Sequence, residues 1–330
     1  MRSPYYINQE GNPAVLSTKK AIEHALYEEG VSLTIPDEYT GITGFYEDNL
    51  KINKLAYAVI DQYNMPAVRT WYKYGQYEPY DILRPTAFDI GPVSGLGEYV
   101  YTNWQMDITV GDLVETLQEF DLSSIFEMDM FEFLKNNYEN WASDEFKNIY
   151  LASTKIIQVL EEFKVASLDD INEKISDWRR NIKEASIDMR YLIQDLDCFS
   201  TTTVERIGEF LTLLEDALIS VETGSESLTE DKYKTLFGAR ETYHEFVWPF
   251  AAMSISLQEI DGPENEIDEY NSRGQDIRTE LERRSKTHLK GWKRELEEEN
   301  LLPTIDQRQS VVQASRDVGN LVDSGILRTE

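Results

Sequence analysis

The sequence predicts a mainly α-helical protein, in which a small N-terminal α+β module precedes a domain of long helices. Three observations support this prediction. Glycine, proline and aromatic residues are frequent before about residue 105, where helical runs are short. Beyond that point apolar residues recur at helical spacing along almost the whole chain. Two of these stretches follow a heptad pattern, which is typical of coiled-coil-like hairpins. We therefore expect domains over residues 1–105 and 106–330.

The N-terminal module is predicted to contain two helices and a strand. The first helix should begin at Ser17, a residue type favoured as an N-cap, and end before Gly30. The second should cover residues 46–63, where apolar side chains recur every three or four positions. Residues 67–72 are rich in β-branched and aromatic types, which favours a strand. This order is typical of a small, winged-helix-like module.

The heptad pattern lies between about residues 167 and 222. Its apolar positions are Ile171, Ile175, Trp178, Ile182, Ala185, Met189, Leu192, Leu196 and Phe199, followed by Val204, Ile207, Leu211, Leu214, Leu218 and Val221. Their average spacing of about 3.5 residues is the coiled-coil period. The chain breaks this rhythm at 200–203, where Thr202 and Glu205 match a capping box. We expect an antiparallel helical hairpin, with a continuous rod as the alternative.

Other helices are predicted on both sides of the hairpin. Amphipathic stretches begin near residues 108 and 143, and a later helix over 230–260 should be kinked by Pro249. A long charged helix is expected over 264–299. Pro303 should end it before a short C-terminal helix that carries Val311 and Leu321.

The charge of the chain says more about its solvent than about a reaction. Sixty-one acidic residues against 32 basic ones give a formal net charge of -29. A folded body with this charge repels itself unless salt screens it, which favours the cytoplasm of a halophilic archaeon. The first residues lack the apolar stretch of a signal peptide, and no window is as apolar as a membrane span. The single cysteine, Cys198, excludes an intramolecular disulfide and is expected to be packed.

Sequence signals for catalysis are sparse. The chain has no phosphate-binding loop, no zinc-protease motif and no nucleophile elbow. Glu241 and His244 form a Glu-x-x-His pair, the half-site of di-iron helical proteins, but the sequence has no second such pair. We therefore expect no cofactor and no enzymatic activity. A helical metalloenzyme that uses Glu241 and His244 remains an alternative.

An aromatic segment departs from the acidic background. Between Lys51 and Arg84 the chain has five basic and only three acidic residues, among many tyrosines. Aromatic side chains interleaved with cations can stack on bases or anchor a protein interface. The candidate partner-binding residues are Trp71, Tyr72, Lys73, Tyr74, Tyr77 and Tyr80. An aromatic-rich core with a few cations on its rim is the alternative.

A cationic segment is the second departure. Residues 283–294 contain six cations and no acid, and helical spacing places Arg283, Lys286, Lys290 and Lys293 on one face. The other face is formed by Leu281, His288, Trp292 and Leu296. Such a face can bind phosphates, but the overall negative field opposes nucleic acid. We expect the cations to dock on the protein's own acidic helices or on those of a partner.

The aromatic segment also resembles a known family. Lys54-Leu55-Ala56-Tyr57, followed by a strand that ends in Tyr74-Gly75, is similar to the Lys-Leu-x-Tyr helix and Tyr-Gly-Pro motif of Panacea domains. The resemblance covers residues 46–85, and Gln76 replaces the usual proline. It implies an antitoxin-like protein that binds its partners directly. We therefore expect a non-enzymatic regulatory protein that binds a protein partner or self-associates. A DNA-binding transcriptional regulator is the alternative.

Overall fold

The computed structural model confirms that the chain is mainly α-helical. It describes residues 12–33, 47–77, 79, 90–92, 94–101, 108–142, 144–165, 168–224 and 228–309. The helices are α1 (Pro13–Glu28), α2 (Glu47–Gln62), α3 (Val110–Gln118), α4 (Leu122–Glu127), α5 (Met130–Trp141), α6 (Asp144–Val165), α7 (Leu168–Asp195), α8 (Thr201–Thr223), α9 (Glu230–Glu241), α10 (Trp248–Gln258) and α11 (Glu264–Glu298). None of these helices combines the length and the apolar character that a membrane crossing needs.

Among the described residues, four short strands form two separate antiparallel pairs. They are β1 (Thr70–Tyr72), β2 (Gly75–Tyr77), β3 (Tyr99–Tyr101) and β4 (Ile108–Thr109), with β1 paired to β2 and β3 to β4. The strand predicted over 67–72 is shorter than expected, because Arg69 leaves the ladder and forms an isolated bridge with Asp261. The winged-helix-like arrangement of this region stays a prediction.

Contacts between residues divide the chain into two units. The first takes in the described residues of Met1–Thr154 and Pro249–Leu281, and the second those of Lys155–Trp248 and Glu282–Glu330. Each unit is built from stretches that are distant in sequence, an arrangement that a change of composition along the chain cannot reveal. The domain boundary near residue 105 stays a prediction.

In the first unit, helix α1 begins earlier than expected. Asn12 is its N-cap, and its side-chain oxygen accepts hydrogen bonds from the backbone of Ala14 and Val15. Pro13 follows at the first helical position, where a missing N–H costs nothing. The predicted start at Ser17 is therefore wrong by one turn. The predicted end is confirmed, since Gly30 takes a positive φ of 68° just after the helix.

In the second unit, helices α7 and α8 form the predicted antiparallel hairpin. Ser176 and Arg179, early in α7, contact Glu222 at the end of α8. Arg190, late in α7, donates to Thr212 near the middle of α8 at 2.9 Å. The buried stripe follows the heptads as far as Met189. It then moves to Ile193, while Leu192 and Leu196 are half-buried.

The start of α8 and the break at Pro249 differ from the predictions. Ser200, not Thr202, caps α8, because its hydroxyl accepts from the backbone of Thr203. Before Pro249 the chain forms a π-helix over Thr242–Val247, and the Trp248 N–H donates to the Tyr243 carbonyl. The proline ring would crowd the carbonyl of the preceding α-turn, and the wider turn accommodates it.

Candidate protein-binding surfaces

Four cations of α11 form an exposed face, which we call the basic stripe. Arg283, Lys286, Lys290 and Lys293 are all exposed. They follow one another at intervals of three or four residues along a helix of 35 residues. At the rise of an α-helix they extend over about 15 Å.

Packing on the opposite side of α11 fixes the direction of the basic stripe. The Trp292 ring stacks on Phe210 with centroids 5.5 Å apart, and its Nε1 donates to the Thr235 carbonyl at 2.8 Å. A Cβ atom on Gly238 would lie 3.2 Å from the same ring, so an alanine there would push against Trp292. His288 is half-buried and stacks on Phe246 at 3.6 Å. The helix is therefore held with its cations toward solvent.

Three lysines of the basic stripe have no partner within the described part of the chain. Lys286, Lys290 and Lys293 form no ion pair or hydrogen bond with any residue that the structure describes. Arg283 does have an interaction within the chain. Docking of these three lysines on the chain's own acidic helices is therefore not observed among the described residues. The exposure of these lysines favours the alternative, in which they dock on a partner.

A second charged face lies on α7, and we call it the acidic stripe. It consists of Glu173, Asp177, Glu184, Asp188 and Asp195, which are all exposed. Their spacing of four and seven residues places them along one side of the helix. Asp177 pairs with Arg180 at 2.7 Å and Asp188 with Lys155 at 3.8 Å. The acidic stripe does not stand out in the sequence, because acidic residues are so common in the chain. The repeated spacing of four and seven residues is the signal that could have revealed it.

The aromatic segment is not the exposed surface that the interface hypothesis requires. Trp71 is only 5% exposed and packs against Phe146 and Tyr150, with ring centroids 5.4 and 5.2 Å away. Tyr74 is also buried, while Tyr72 and Lys73 are half-buried. The side chain of Tyr77 and the whole of Tyr80 lie outside the described residues. Trp71 and Tyr74 therefore belong to an aromatic-rich core, which is the alternative interpretation of the segment.

Three cations of that segment, Lys51, Lys54 and Arg69, lie inside the core and not on its rim, whereas Lys73 is half-buried and Arg84 lies outside the described residues. Lys51 is buried, and its Nζ donates to the carbonyls of Phe126 at 3.0 Å and Met128 at 2.6 Å, at the end of α4. Burial lowers the pKa of Lys51. Arg69 is buried too and binds Asp61 and Asp261. These side chains hold helix ends and loops in place.

Lys54 is the most unusual of these buried cations. It is 2% exposed, and burial holds its pKa well below the ordinary lysine value. Its Nζ lies beside Gly75, where an added Cβ would be 3.4 Å from Nζ and 2.7 Å from Tyr138. Burial raises the pKa of Tyr138, against a smaller opposing effect of a hydrogen bond to Thr154. Helix α2 and strand β2 therefore meet at Lys54 and Gly75.

The Glu-x-x-His pair does not converge on one site. Glu241 is exposed, whereas His244 is buried inside the π-helix. The wider π-turn disrupts the spacing by which residues i and i+3 share a face. Within the described ranges, no group of three or more His, Cys, Asp or Glu side chains is arranged to hold a metal ion.

Comparison with known proteins identifies the family of this chain. Residues 102–326 match the family described as "Domain of unknown function (DUF8098)". The chain belongs to this family. No curated protein and no solved structure matches it. The part shared with the DUF8098 family contains both charged stripes, whereas Lys54 and Trp71 precede it.

Proposed function

We propose that this chain is a non-enzymatic, regulatory protein that binds an acidic face of a protein partner through the basic stripe. The observation that carries the proposal is the exposure of Lys286, Lys290 and Lys293, which have no partner among the described residues, in a chain of net charge -29. Acidic side chains outnumber basic ones by almost two to one, so a stretch of six cations without an acid stands out against the composition of this chain.

The chemistry of the basic stripe favours a protein partner over nucleic acid. Binding of a polyanion to lysines weakens steeply as salt rises, and at low salt the negative field of the whole molecule opposes it, whereas the apolar contacts of a protein interface persist at high salt. Lysine stems also supply apolar contact area while their ammonium groups remain near water. An acidic helix with carboxylates three or four residues apart matches the intervals between the four cations.

The resemblance to Panacea domains supports the regulatory part of the proposal. Proteins with that domain bind their targets directly, and we propose antitoxin-like neutralisation as the role of this chain. The acidic composition supports a location in the cytoplasm of a salt-accumulating archaeon. The binding face that we assign differs from the aromatic segment, because Trp71 and Tyr74 are buried.

Affinity capture in multimolar KCl tests the proposal. The bait is the full chain, either wild type or with Lys286→Glu and Lys290→Glu. The control carries Lys20→Glu and Lys135→Glu, which change the net charge equally. Both lysines are exposed, and among the described residues Lys20 pairs with Glu98 alone, at 3.3 Å. Each captured protein is then purified and its affinity for the three baits is measured. We expect the stripe variant to lose a partner that the control retains. Equal affinity of every partner for all three baits would refute the proposed function.

A further inference from the structure

The two charged stripes belong to the same unit and are complementary in sign. The acidic stripe lies on α7 and the basic stripe on the part of α11 after residue 281, both within the second unit. Glu173, Glu184 and Asp195 have no partner among the described residues, like the three lysines of the basic stripe. The unit therefore carries two faces of opposite charge, on which only Asp177, Asp188 and Arg283 have partners among the described residues.

The spacing of the two stripes also agrees. Lys286 and Lys290 are four residues apart on α11, and Glu184 and Asp188 are four residues apart on α7. One such interval is a rise of about 6 Å in either helix. Two helices that lie side by side can therefore bring both cations onto both carboxylates at once. This one-turn interval is common to all helices, so it permits the contact, and the choice of partner rests on the complementary charges and the apolar side chains beside them.

Apolar side chains accompany the acidic stripe. Ile187 and Tyr191 are one turn apart on the solvent side of α7 and are 59% and 70% exposed. Surface ion pairs alone contribute little to association, so a stable contact needs apolar area as well. These two side chains supply it next to Glu184 and Asp188.

We propose that a second copy of this chain is the partner of the basic stripe, with α11 of one copy lying along α7 of the other. This inference rests on the proposed function, because it names the acidic face that the stripe binds. Both copies carry a large negative charge, and multimolar salt reduces the screening length to about 3 Å at 1 M. Long-range repulsion is then suppressed, while side chains in direct contact still interact.

Sedimentation equilibrium in multimolar KCl, with charge-reversed variants, tests this interface. The wild type should sediment as two or more copies of the 38.3 kDa chain. A variant with Lys286→Glu and Lys290→Glu, and one with Glu184→Lys and Asp188→Lys, should each associate about tenfold or more weakly, because like charges then face each other. An equimolar mixture of the two variants should associate again, since each contact between different variants regains opposite charges. The Lys20→Glu, Lys135→Glu control should behave as the wild type.

The possible outcomes separate this inference from the proposed function. A wild type that sediments as a single copy overturns the inference, and so does a mixture of two helical, folded variants that fails to associate. If the wild type is a single copy but the capture experiment yields a partner that depends on the basic stripe, only the second-copy inference fails. If the wild type associates and neither reversal changes it, α7 and α11 are not the interface.

Discussion

Replacement of Gly75 by alanine gives the sharpest test of how the first unit is packed. Gly75 has a positive φ of 85°, and its position between Lys54 and Tyr138 leaves no room for a methyl group. The left-handed backbone costs an alanine about 1–2 kcal/mol. The 2.7 Å approach to the Tyr138 ring adds about 1–3 kcal/mol, because a buried ring cannot move aside without repacking. The total expected loss of unfolding free energy is about 2–5 kcal/mol.

Two other glycines separate the contributions to this loss. Gly30 also has a positive φ, 68°, but an added Cβ would meet nothing within 4 Å, so Gly30→Ala should cost only the backbone part. Gly291 lies inside α11 with open space around it, and Gly291→Ala should stabilise the chain by about 0.5–1 kcal/mol. Thermal unfolding followed by circular dichroism in multimolar KCl compares the three. Gly75→Ala should lower Tm by about 5–15 °C. A Tm loss no larger than that of Gly30→Ala would refute the tight contact with Tyr138.

Three further predictions follow from the buried and exposed cations. Burial lowers the pKa of Lys54, so the unfolded state binds the lysine proton more tightly than the folded state does. The free energy of unfolding should therefore rise with pH, up to the unfolded lysine pKa of about 10.4. Lys54→Met should flatten that rise in denaturant titrations. Arg69→Met should cost about 1–3 kcal/mol in the same titrations, because it removes hydrogen bonds to Asp61, Asn64 and Asp261. Electrophoretic mobility shifts should show no specific DNA complex at the lowest salt that preserves the fold; a complex abolished by Lys290→Glu would instead favour the DNA-binding alternative.

The sequence predicted the elements whose pattern results directly from packing. The heptads of α7 and α8 predict an antiparallel hairpin, because two packed helices bury one side chain about every 3.5 residues along their contact. Helix caps are predicted less well. The observed N-caps are Asn12 and Ser200, whereas the sequence pattern favours Ser17 and Thr202, which are equally suitable residue types. Which hydroxyl or amide caps a helix depends on the path of the preceding chain, and spacing alone does not reveal that path.

The location of the aromatic segment could not be read from the sequence. Trp71 is buried by Phe146 and Tyr150, which lie more than 70 residues further along the chain. A segment rich in tyrosine and lysine can form a protein interface, and it can equally belong to a core in which the lysines are buried. Its composition alone does not distinguish the two locations. That the four cations share one face could be predicted, because both faces belong to one continuous helix and helical periodicity alone is sufficient. Their role in docking stays a prediction.

The way this chain uses its cations strengthens the argument for the basic stripe. With 32 basic residues among 61 acidic ones, a cation almost anywhere on the surface has a carboxylate within reach. Several cations do have acidic partners: Arg240 binds Glu161 at 2.6 Å, and Arg308 binds Asp216 at 2.6 Å. Lys135, Lys174 and Lys183 are also exposed without an ion pair among the described residues, so the basic stripe is distinguished by its four cations on one side of a single helix. The packing of Trp292 turns this side toward solvent, and it leaves the stripe available to another molecule.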